Sequence, residues 1–154
     1  MNVMNELAFN IRFPDTELEW QAYYNCRWEL LRKPWDQPPG SEKDEHDADG
    51  YHVMAVDEQN NVIGVGRVHF NNSTEAQVRY MAVRDECSQH GIGSLILTKL
   101  ENIAIEKGAT KIMLYARENA IDFYLKRGYF NQGPAHNLYG QIPHLHMTKT
   151  IANK

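Results

Sequence analysis

Cysteine is scarce in this chain. Cys26 and Cys87 are the only two and form no CxxC pair, so a disulfide framework is excluded. The first residues, Met1 to Phe9, carry Glu6 and no basic cluster ahead of an apolar run, which does not read as a targeting peptide. No stretch approaches the roughly 20 apolar residues of a membrane span. The economical expectation is a reduced, cytoplasmic protein with no membrane partner. A basic excess is also missing: 16 Lys and Arg stand against 20 Asp and Glu, a net charge of −4. That argues against non-specific nucleic-acid binding, which needs clustered cations. Internal repeats and low-complexity tracts are absent. What remains is an ordinary globular balance, 42% apolar and 23% charged over 154 residues, and it predicts one domain spanning 1–154.

Hydrophobic periodicity and turn residues divide the chain. Leu7 to Phe13 alternates as a strand closed by Pro14. Thr16 and Glu19 have capping-box spacing, and Leu18, Ala22, Cys26 and Leu30 follow as one helical stripe until Pro34. The segment from Lys33 to Gly50, with its acidic run Glu42 to Asp49, reads as a surface loop, the run itself as a solvated face. Tyr51–Val56 and Val62–Phe70 form a hairpin, and Glu75–Val83 a third strand. His90–Lys107 reads as a long helix stopped by Gly108, Lys111–Ala116 as a buried strand, and Asn119–Arg127 as a short helix capped by Asn119. Tyr129–Asn131 and Ile142–Thr150 are the closing strands. The order β-α-β-β-β-α-β-α-β-β predicts an α/β fold around one sheet.

The informative stretch is Val78-Arg79-Tyr80-Met81-Ala82-Val83, followed by Ser88-Gln89-His90-Gly91-Ile92-Gly93-Ser94. A strand runs into a glycine turn that opens a helix. Glycine lets the backbone approach a ligand, and the first helical amides together with the helix dipole suit a pyrophosphate. A dinucleotide fingerprint would need a third glycine where Ile96 stands, and a P-loop would need a lysine after Gly93. Neither fits. Taken alone, the turn is equally a flexible helix start.

A second segment changes the weighting: Asn119-Ala120-Ile121-Asp122-Phe123-Tyr124-Leu125-Lys126-Arg127-Gly128-Tyr129. With the x-x-Gly-x-Gly turn before it, the chain resembles the GCN5-related N-acetyltransferase (GNAT) superfamily over nearly its whole length. Gly140-Gln141-Ile142-Pro143-His144-Leu145-His146-Met147, and Arg27, are similar to the bacterial ElaA/YjcF branch. Ser88 stands where the family carries Gln or Arg, with Gln89 displaced by one, so the resemblance implies a pyrophosphate held largely by main-chain amides.

The resemblance implies a GNAT-like, mostly antiparallel central sheet with helices on both faces. It also implies an acetyl-CoA-dependent N-acetyltransferase acting by direct attack of an amine, from a small molecule or a protein. His144 and His146 place two imidazoles on one strand face, but no third ligand is apparent, so no metal is expected. A homodimer is the family-level expectation. The strand Met81-Ala82-Val83 is expected to splay from its neighbour and bind pantetheine. The Val83 amide would stabilise the oxyanion. Pyrophosphate would lie over Ser88, Gln89, His90, Gly91, Ile92, Gly93 and Ser94, with Asn119 and Phe123 on the pantetheine side. Tyr124 would be the general acid, since a phenol of pKa about 10 is protonated when a thiolate departs. Against this, Phe123 and Tyr124 are core aromatics on a short helix. Arg27 and His144 are expected at the acceptor amine. His144, His69 and Glu118 are candidate bases, each also readable as an ordinary structural residue. The acidic run also offers attraction for a cationic acceptor. Cys87 reads as incidental. A contrasting class keeps the fold for acyl-CoA sensing or protein contact without catalysis.

Overall fold

The structure is a computed structural model and describes residues 7–151. Its strands are β1 (Phe9–Arg12), β2 (Tyr51–Asp57), β3 (Val62–Phe70), β4 (Glu75–Val83), β5 (Lys111–Arg117), β6 (Phe130–Leu138) and β7 (Ile142–Thr150). Its helices are α1 (Glu17–Leu31), α2 (Ile92–Glu106) and α3 (Ile121–Leu125). The element order is the expected one. One seven-stranded sheet runs β1-β2-β3-β4-β5-β7-β6, antiparallel at every junction except β4–β5.

The two faces of the sheet carry different chemistry. β2 and β3 are buried along nearly their whole length because helices cover both sides. Val53, Ala55 and Val68 pack beneath α2 with Ile96 and Leu100, while Met54, Val56, Val62 and Val65 lie under α1. Gly66 is required by this packing. A Cβ there would stand 2.8 Å from Ile96 Cγ2 and 2.9 Å from Leu100 Cδ1, so only glycine lets α2 settle on β3.

Several local expectations need correction. The capping box at α1 is present, with the Glu19 amide donating to Thr16 Oγ1 at 3.1 Å. The buried face of that helix is Tyr23, Cys26 and Arg27, so Cys26 of the expected stripe is buried, but Leu18 is 76% exposed. Apolar spacing misplaced the stripe because α1 covers a polar cluster as well as aliphatic side chains. Asn119 does not cap α3. It lies in a 3-10 turn, Glu118–Ala120, and Ala120 is the cap residue. β6 continues through Gly133 and Pro134, where the sequence suggests a loop. As the edge strand it tolerates a proline, whose missing N–H costs no ladder bond on the solvent side.

The acidic run is a solvated face only in part: Glu45 and Asp49 are exposed, but Asp44 and Asp47 are not. Asp47 accepts from Arg27 (2.9 Å) and Arg67 (3.0 Å), and Asp44 pairs with Arg67 and with Arg79 (2.8 Å). The side chains of Arg27 and Arg67 are fully buried, and their Nε atoms have no partner among the described residues. Burial alone would raise the Asp44 pKa, but the hydrogen bonds and charge of Arg67 hold it well below the ordinary carboxylate range. The loop is thereby clamped to the α1 face of the sheet.

Candidate active site

The site begins at a bulge. Arg67 pairs with Arg79 and Val65 with Ala82, so Tyr80 and Met81 together oppose the single residue Gly66. Tyr80 adopts φ +59°, and its ring is surrounded by the guanidiniums of Arg27 (4.2 Å), Arg79 (4.5 Å) and Arg67 (4.9 Å). A bulge bends its strand, and here the bend carries β4 away from β5. Parallel pairing of the two covers only Glu75–Gln77 against Lys111–Met113, although β4 runs on to Val83 and β5 to Arg117. Beyond Gln77 the sheet is open.

Two cavities meet in that opening. The larger, about 640 Å³, lies on the α1 side, between the end of α1, the two diverging strands and the β6–β7 hairpin. The smaller, about 430 Å³, lies on the α2 side over Ser88, Gln89, Gly91, Gly93 and Ser94. Met81, Ala82, Val83, Ala120 and Tyr124 line both. A ligand anchored at α2 therefore reaches the far face of the sheet only through this gap.

The α2 end is built for an anion. Gly91 is the cap residue at φ +76°, a conformation that favours glycine, and no side chain caps the helix. Among the described residues, none of the amides from Gln89 to Ser94 finds a backbone acceptor. A Cβ on Gly93 would meet only ordinary contacts, the Phe123 ring at 3.5 Å and Val83 Cγ2 at 3.7 Å. The fold itself does not demand glycine there, and its absence of a side chain leaves the helix amides open to the cavity. Arg127 joins this cavity, donating to Ser94 Oγ (3.2 Å) and the Phe123 carbonyl (2.9 Å) and stacking on the Phe123 ring.

In the gap, the Arg84 amide donates to Ile63 O at 2.9 Å. Backbone groups alternate along a strand, so the Val83 amide, one residue earlier, points to the edge that β5 has left. Tyr124 is 7% exposed, and no described residue hydrogen-bonds its hydroxyl. Burial pushes its phenol well above the ordinary range, so it is a proton donor at any physiological pH. On the larger cavity's far wall, His144 Nδ1 donates to Ile142 O (2.9 Å), which leaves the Nε2 lone pair free. Burial, the stacked His136 ring (4.5 Å between centroids) and the nearby Arg117 and Arg79 charges lower its pKa.

Residues 20–129 match the acetyltransferase (GNAT) family. The N-acetyltransferase YjcF of Bacillus subtilis is 31% identical over 128 residues, covering 83% of this chain and 89% of YjcF. The chain belongs to the GNAT acetyltransferase family. Among solved structures, an aminoglycoside 6'-N-acetyltransferase complexed with coenzyme A superimposes with a TM-score of 0.76 at 19% identity, covering 94% of this chain and 98% of that one. Escherichia coli ElaA gives 0.75 at 12% identity, covering 93% and 99%. At such identities these structures share the fold. Both branch resemblances noted in the sequence, to YjcF and to ElaA, thus have counterparts here.

Within this GNAT chain the structure gathers most of the expected residues. Met81, Ala82, Val83, Tyr124, Ser88, Gln89, Gly91, Gly93, Ser94 and Phe123 line the smaller cavity, and Asn119 and His144 line the larger. Ile92 is buried in the core and offers only its amide, while the His90 side chain is exposed and outside both walls. Arg27 lies elsewhere. It is fully buried against Asp47, Tyr23 and the Glu42 carbonyl, where an exposed acceptor site had been expected. His69 is also remote from the cavities. It accepts from Arg67 (3.0 Å), and burial with the Arg67 charge pushes its pKa down to about 4. Glu118 lines neither cavity, and Cys87 is buried away from both. Among the described residues no three His, Cys, Asp or Glu side chains converge for a metal. Sequence reasoning missed Arg127, Arg32, Arg117 and His136. Arg127 had a signal, four residues after Phe123 on the short helix; the others are joined only by the sheet.

Proposed function

We propose that this chain transfers the acetyl group of acetyl-CoA to a primary amine by direct attack, with no covalent enzyme intermediate. The supporting observation is the passage at Met81–Val83 and Tyr124 joining an anion-suited helix end to a second cavity. Pyrophosphate contacts the amides from Gln89 to Ser94 and the Arg127 guanidinium. The pantetheine arm runs along the unpaired edge of β4 and carries the thioester to the gap. There the Val83 amide faces the developing oxyanion.

The amine enters from the larger cavity. His144, with Nε2 free and its pKa lowered, is unprotonated at neutral pH and takes the ammonium proton. Tyr124 donates to the departing thiolate. Burial raises the phenol's pKa, so its proton is still in place when the thiolate leaves. Cys87 is buried outside both cavities, and burial raises its thiol pKa, which disfavours it as the nucleophile of a ping-pong route. Coenzyme A in the aminoglycoside acetyltransferase of the same fold supports the choice of donor.

The test is binding followed by turnover. Acetyl-CoA at a hundredfold its Kd raises stability by about 2.7 kcal/mol, read as a higher Tm. Thiol release with an accepted amine then shows transfer, and His144→Gln removes the acidic limb of its pH profile. That limb lies below pH about 6.5, the ordinary histidine value, because the His144 pKa is lowered. No Tm shift and no calorimetric heat at millimolar acetyl-CoA refute the reading.

A further inference from the structure

The charges on the acceptor cavity's wall do not balance. Arg79 shares Asp44 with the buried Arg67, Glu29 pairs with Arg84 (2.9 Å), and Asp85, which also lines the cavity, is solvent-exposed past the end of β4 and pairs with no described cation. Two cations are left. Arg32, only 6% exposed, has backbone carbonyls as its acceptors, those of Ser41 (3.0 Å) and Leu31 (3.4 Å), and no described carboxylate. The side chain of Arg117, half-buried at the end of β5, makes no hydrogen bond or ion pair with any described residue. Both line the larger cavity, and neither lines the pyrophosphate cavity. Burial, and then the charge of Arg32, lower the Arg117 pKa, as two cations brought together without a counterion require.

Unpaired guanidiniums held out of water cost stability unless an anion joins them, and their planar forks suit a carboxylate or phosphonate oxygen pair. We infer that the acceptor is a small primary amine that also carries an anionic group, held by Arg117 and Arg32. Placement supports this. Arg117 pairs with His144 across β5 and β7, so the anion is pinned beside the base that takes the amine's proton. Arg117 also shares the wall of the larger cavity with Met81, which lines the gap. Of the acidic run, Asp44 and Asp47 are engaged by Arg27, Arg67 and Arg79, and none of its carboxylates lines the cavity.

This rests on the acetyltransferase reading, and the experiment separates the two. Acetyl-CoA binding is measured first by calorimetry; no binding removes that reading and this proposal with it. Matched amines are then compared by thiol release: γ-aminobutyrate and aminopropylphosphonate against butylamine and putrescine. The expected result is an anionic over neutral or cationic preference in kcat/KM of about tenfold or more, a size typical of one charge-assisted pair. Arg117→Gln should raise KM for the anionic amines, with kcat little changed, and should shrink that ratio. Should turnover be too slow to read, calorimetry of the same four amines on the CoA-loaded protein reports the same order. Acetyl-CoA binding accompanied by preference for butylamine or putrescine, or an Arg117→Gln ratio equal to the parent's, overturns the proposal. So does the absence of any anionic-amine binding at tens of millimolar.

Discussion

Replacing Tyr124 with phenylalanine separates a reacting hydroxyl from a packed ring. The ring touches Phe123 (5.0 Å between centroids) and Tyr129 (5.6 Å), and those contacts survive the change. The hydroxyl bonds to no described residue. Its removal therefore deletes no protein hydrogen bond, and the stability change should stay within about 0.5 kcal/mol. A positioned general acid contributes about a hundredfold to rate, equivalent to about 2.7 kcal/mol. The two readouts thus differ by several-fold in free energy. Thiol release under saturating acetyl-CoA measures the first, and urea unfolding the second. The loss should fall on kcat, because the proton is needed only as the carbon–sulfur bond breaks. Since burial raises the Tyr124 pKa, the parent should show no basic limb from this group up to pH about 10. Turnover within twofold of the parent, under conditions where chemistry limits the rate, refutes the assignment and leaves Tyr124 a core aromatic.

Gly93→Asp should abolish acetyl-CoA binding by calorimetry with an unaltered circular dichroism spectrum, since its Cβ meets no tight protein contact. Gly91→Asp should do the same and cost about 1 kcal/mol more, because φ is +76° there; parent-like binding by either variant counts against the phosphate site. Asp47→Asn strands the buried Arg27 and should lower unfolding free energy by about 3 to 5 kcal/mol, read by urea denaturation. His69 and His52 both have folded pKa values below the unfolded one, so the unfolded chain takes up more protons as pH falls. Stability should be full above pH about 6.5 and decline from there toward pH 4, by up to about 3 kcal/mol from His69. A flat stability profile between pH 7.5 and 4.5 would contradict that burial account.

Local chemistry in the chain determines the element order and the cofactor half of the site. The glycine turn, the Thr16–Glu19 cap and the alternating strands act over a few residues, where spacing alone carries the physics. Gly91, Gly93, Phe123 and Tyr124 were legible for that reason, helped by the family resemblance of their two segments. The acceptor half is different. Of its residues only His144 was named from the sequence; Arg32, Arg117 and His136 come from three other elements and meet it only because β5 pairs with β7 and β4 bends away at its bulge. Arg27 shows the converse. In sequence it is one more polar residue on a helix; in the structure it is fully buried because Asp47, twenty residues on, turns back to meet it. Whether a charge is solvated, paired or left facing a cavity depends on distant partners and on burial. The sequence contains those charges, but only the tertiary structure decides which of them are free to bind.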